Sequence, residues 1–152
     1  MANTPGVCVT FKPQVLSGIH ALGTTVTRGS TAADTLKGAL YLASGTLSPT
    51  TTSAYSATSE VSGTGYTAGG QVVTNATAPS VSGTQGVWTP SAALVWTGLT
   101  LTTAFDTLLI YNSTQSNYAI ELLNFGSQTI TSGTLTLNMP VNASGTALLQ
   151  LA

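Results

Sequence analysis

Apolar residues fall along this chain in short clusters separated by Thr, Ser, Asn and Gly, and the densest clusters lie within residues 105–125. Leu108, Leu109, Ile110 and Tyr111 form a continuous run, as a strand covered on both faces does, and Ala119, Ile120, Leu122, Leu123 and Phe125 form a second. Between them, Asn-Ser-Thr-Gln-Ser-Asn at 112–117 offers short polar side chains that bond their own backbone, so the segment predicts a hairpin. Glu121 is the one charge inside the second run. It is expected to face solvent or a paired partner, because burying it alone is costly.

The rest of the chain reads in the same terms. Leu36, Gly38, Leu40 and Leu42 share one face of a strand over 35–43, with Lys37 on the other face. Residues 71–74, 87–90 and 93–101 predict strands, and the last two bring in Trp88 and Trp96 as core aromatics. Leu135, Leu137 and Met139 alternate with Thr134, Thr136 and Asn138 in a half-buried strand, and 147–151 closes the chain. Near the start, 7–11 suits a short strand. Val15, Leu16, Ile19 and Leu22 predict one short helix over 13–22, ended by Gly23. Segments 45–60 and 75–86 are polar loops, the first long enough to mark it for contacts. About eight short strands predict an all-β fold: a single-domain β-sandwich of jelly-roll or Greek-key type with one short N-terminal helix. Residues 1–10 would form an N-terminal arm and first strand, and 11–152 the sandwich domain, a size that suits one core.

Charge changes the picture most. The basic residues are Lys12, Arg28 and Lys37 and the acidic ones Asp34, Glu60, Asp106 and Glu121, so 5% of the chain is charged, against about 25% in an ordinary soluble domain. Three scattered cations do not make a phosphate-binding patch, which argues against nucleic acid. No apolar run reaches membrane-span length, and the first residues lack the pattern of a secretory signal, so a soluble protein made in the cytosol is expected, with no membrane partner. Cys8 is the lone cysteine and reads as a small buried apolar residue rather than a reactive thiol. Asn75, Asn112 and Asn142 match the glycosylation pattern only as a Thr/Ser/Asn-rich sequence does by chance.

Candidate chemistry is sparse. His20 has no second histidine to share a metal with and reads as a helix-surface or capping residue. Asp34, Glu60 and Asp106 read as turn formers or solvated faces, and no pair of titratable residues stands at a catalytic spacing. The glycine run at 61–70, with Gly63, Gly65, Gly69 and Gly70 around Tyr66, lacks the Lys-Ser/Thr and the following helix of a phosphate loop; its glycines serve a turn. The expectation is a non-enzymatic chain with no catalytic residues, no cofactor and no metal, whose partner-binding residues are not marked by any motif.

A resemblance adds to this. Phe11-Lys12 with Leu16-Ser-Gly-Ile-His20, then 34–41 (Asp-Thr-Leu-Lys-Gly-Ala-Leu-Tyr), 55–70 ending in Gly-Tyr-Thr-Ala-Gly-Gly, the Leu-Ile-Tyr-Asn of 109–112 and the Leu-Asn-Phe-Gly of 123–126 resemble small virion structural proteins of tailed bacteriophages. The resemblance spans nearly the whole chain; the glycine block and the two late pieces are its specific part. It implies a capsid decoration or cement protein, located in the virion after assembly in the host cytoplasm, with the major capsid protein as partner. A tail, fibre or adaptor component is the alternative, which fibre repeats or heptads would favour, and none are present. A carbohydrate-binding β-sandwich is a third reading, which needs Trp88, Trp96 or Tyr66 exposed on one face. Edge strands rich in Thr and Ser, with no Lys beyond Lys37 to blunt them, predict self-association as a dimer or trimer, with residues 1–10 as an anchoring arm.

Overall fold

The computed structural model describes residues 3–16, 18–20, 22, 32–74 and 77–151. It is nearly all β, with two antiparallel sheets. Strands β1 (Gly6–Val7), β2 (Leu36–Leu42), β3 (Gln71–Val72), β6 (Leu94–Asn112) and β7 (Tyr118–Leu137) form a five-stranded sheet in the order β1-β7-β6-β2-β3. Strands β4 (Ser80–Ser82), β5 (Gln85–Trp88) and β8 (Leu149–Leu151) form a three-stranded one in the order β4-β5-β8.

The hairpin at 105–125 is the centre of the larger sheet, but it is far longer than its apolar runs. β6 has 19 residues and β7 has 20, so each reaches ~60 Å if fully extended. Breaks that look like strand ends in the sequence are bulges in the structure. The register shifts between Trp96 and Leu99, between Leu101 and Phe105 and between Phe105 and Thr107, and Gly98 and Gly126 supply positive φ there. Around 105–112 both faces of β6 are buried, as a continuous apolar run requires, whereas β7 beyond Leu123 is exposed with half-buried positions at Phe125, Ile130, Gly133, Leu135 and Leu137.

One buried cluster draws on both sheets. It joins Leu40, Trp96, Phe105, Leu109, Ile110 and Ile120 of the large sheet to Trp88 and Leu149 of the small one. Two expectations are corrected. The segment 75–86 is not all loop: 80–82 pairs with 85–88 around a turn at Gly83, whose φ is 62°. The helix expected over 13–22 is shorter and begins earlier, as the six-residue α1 (Phe11–Leu16), which takes in Phe11, the last residue of the expected strand; Ile19 and His20 are not helical, and Ser17, Ala21 and Gly23 lie outside the described residues.

Candidate interaction surface

β7 carries a long open edge. On the side away from β6 it meets β1 only at Glu121 and Leu122, and the 45–60 loop at the isolated bridge Ala54–Tyr118. Among the described residues no strand pairs with that side from Leu123 to Leu137. That stretch reads Leu-Asn-Phe-Gly-Ser-Gln-Thr-Ile-Thr-Ser-Gly-Thr-Leu-Thr-Leu and holds no charge, so neither a strand nor a charged side chain guards its outward backbone, although the Gly126 amide is bonded locally to Asn124 Oδ1 at 3.1 Å. A smaller apolar patch lies on the other sheet. Val81 and Leu151 both pair with Gly86, which places them on one face, and they are 79% and 58% exposed.

The arm expected to anchor a partner is docked on its own body. Asn3 is buried and donates through Nδ2 to the Leu42 carbonyl and to Asp106 Oδ1, each at 3.0 Å, while its Oδ1 accepts from the Leu47 amide at 2.9 Å. The Thr4 amide bonds the Leu47 carbonyl, Cys8 that of Ile120, and Val9 that of Pro49. Glu121 lies where the arm crosses β7, opposite Val7. Contrary to expectation it is buried, at 7% exposure, and its Oε2 has no hydrogen-bond partner. Burial raises its pKa to about 8, so it is a neutral acid at pH 7. The Cys8 thiol, fully buried, is pushed up to about 12 by burial and by the Glu121 carboxyl.

The other carboxylates also turn inward, against the expectation of solvated faces. Asp34 is buried and accepts from Asn112 Nδ2 at 2.7 Å and Gln115 Nε2 at 3.2 Å. Asn112 donates its second amide hydrogen to His20 Nδ1 at 3.0 Å and accepts the Thr114 and Gln115 amides on Oδ1, which locks the hairpin turn. His20 is thus a core residue, not a surface one: its Nε2 faces Gln14 Oε1 at 2.9 Å, and its ring packs between Phe11 and Tyr118. Glu60 accepts Tyr55 Oη at 2.6 Å, Tyr66 Oη at 2.7 Å and the Gly69 amide at 2.7 Å. With Asp34, Asp106 and Glu121 buried and Glu60 held by two tyrosines and a backbone amide, the acidic side chains contribute little charge to the surface.

Trp88 and Trp96 are 2% and 1% exposed, so neither offers a face to a sugar; Tyr66, half-buried, stacks on Trp96 and spends its hydroxyl on Glu60. Gly63 and Gly65 let the glycine run lie against β6, bridged at Thr64 and Thr100. Among the described residues no three of His, Cys, Asp and Glu converge as metal ligands, and no helix is long and apolar enough to cross a membrane. The sequence marked the loop 45–60 for contacts but not the cleft it forms, of about 440 Å³, lined by Ser and Thr around Tyr41 and Tyr55. No family model matches the chain, and neither a curated protein nor a solved structure matches it.

Proposed function

We propose that this chain is a non-enzymatic structural protein of a virion, a capsid decoration or cement protein that associates with itself and rests on the major shell protein. The observation that carries the reading is the uncharged, unpaired edge of β7 from Leu123 to Leu137. A soluble domain acting alone blunts such an edge with Lys, Pro or inward charges, whereas a chain made to be covered leaves it open. The inward-facing carboxylates support the same reading, since they leave little at the surface that salt can screen. We also infer that the two sheets stack as a β-sandwich, because Trp88 and Leu149 share a buried cluster with Trp96 and Leu109. In this arrangement the edge serves self-pairing and the Val81–Leu151 patch faces the shell.

The test is to purify particles bearing the chain, wash them in molar salt, and locate the copies by electron microscopy. Retention on the head after the wash is expected, together with loss of occupancy in Val81→Asp. Release by salt alone, or copies confined to the tail, would overturn the reading.

A further inference from the structure

We propose that the cleft formed by residues 46–59 binds a neutral, polyhydroxylated ligand, a short saccharide segment being the class that fits it. The inference goes beyond the structural role and does not rest on it.

The loop is held open in a fixed shape. Its middle is bonded to the hairpin through the Tyr55 amide to the Asn117 carbonyl and the Ala119 amide to the Ser53 carbonyl. Its end is bonded to β2 through the Leu42 amide to Ser59 and the Tyr41 hydroxyl to Ser56, and its start is turned by Ser48, whose amide meets Thr52 Oγ1 at 3.1 Å. A loop of this length without strands of its own, yet tied at three places, is pre-organised rather than slack.

The cleft's volume, about 440 Å³, falls in the range of roughly 300–1,000 Å³ usual for small-molecule sites. Its wall is polar but uncharged. Thr46, Thr51, Ser53, Thr58 and Ser59 line it, and their hydroxyls bond to none of the described residues. Glu60, the nearest carboxylate in sequence, does not line it and is capped by Tyr55 and Tyr66. A phosphate or carboxylate ligand would find no cation there. Tyr55 rests one ring face on Tyr111, at 4.8 Å and 19°, and also lines the cleft. A tyrosine among several residues with unspent hydroxyls suits a sugar ring, which pairs apolar C–H groups with a rim of hydroxyls.

The test is a titration of the isotope-labelled full chain, followed by NMR, with glucose, galactose, mannose, N-acetylglucosamine and their β-linked dimers. At least one is expected to shift amide signals within 46–59, equally at low and high salt. Ser53→Ala combined with Thr58→Val, both exposed side chains whose hydroxyls have no partner among the described residues, is expected to weaken that binding several-fold. The proposal is overturned if no saccharide moves these signals, if the shifts fall elsewhere, if salt abolishes them, or if the double variant binds unchanged. The experiment uses no particles, so its outcome is separate from that of the virion test.

Discussion

At the level of single residues, the buried ionisable groups set how stability responds to pH. The unfolded chain gives up the Glu121 proton near 4.5, whereas the folded chain holds it to about 8. Stability from this group is therefore full below about 4.5 and is lost as pH rises to about 8. Glu121→Gln keeps the shape and removes the titration, so urea denaturation at about pH 5 and about pH 8 should show a flattened slope and a higher midpoint at the alkaline end. A slope identical to the parent's would mean the carboxyl is not the titrating group. His20 acts with the opposite sign: burial lowers its pKa from 6.5, with Asp34 pulling the other way. Its contribution is present above about 6.5 and fades as the pH falls, since a protonated ring cannot accept from Asn112. Asn112→Ala strips partners from His20, Asp34 and two backbone amides, and a loss of about 2–4 kcal/mol in denaturant stability is expected. Cys8, buried and held as a thiol, should react with an alkylating reagent only when the arm lifts, so its labelling rate reports arm opening.

At the level of elements, the glycine run is held by close approach. Gly70 has φ of +69°, and a Cβ there would press into the Gly38 carbonyl of β2; Gly70→Ala is expected to cost more than about 2 kcal/mol, read as a lowered thermal midpoint. The hairpin core was legible in the sequence because two apolar runs covered on both faces have few other uses. Its extension was not, since the bulges near Gly98 and Phe105 break the alternation that identifies a strand, although the pairing continues through them. β4 escaped notice because Ser80, Val81 and Ser82 are exposed or half-buried and show no apolar face. Glu121 was misread for a related reason: alternation assumes one face meets water, and here the arm from far upstream covers it. Asn112 and Asn3, which donate to Asp34 and Asp106, lie 78 and 103 residues away from them, a separation that no local pattern can encode. The sequence showed that uncharged edges must exist; only the strand order shows that the open one is β7.

At the level of the whole molecule, the open edges are unequal in number and length. The outer side of β2 is occupied by β3 and by the backbone of Ser59, Val61 and Val73, and the edges of the small sheet, β4 and β8, are three residues each. β7 presents the long one, from Leu123 to Leu137, while the outer side of β6 before Phe105, which β2 does not reach, is met by the Thr64–Thr100 bridge, the Ala43 amide and the Gln71 side chain. Thr131→Lys, an exposed change on that strand, is expected to shift sedimentation from dimer to monomer without changing the circular dichroism spectrum; an unchanged dimer would place the contact elsewhere. A molecule with two such edges, one able to accept what the other donates, would add copies without limit and grow into a filament. A single edge has a valence of one. Once two β7 strands lie antiparallel across a two-fold axis, both are used up, so assembly by this route closes at a pair and cannot by itself build a threefold arrangement.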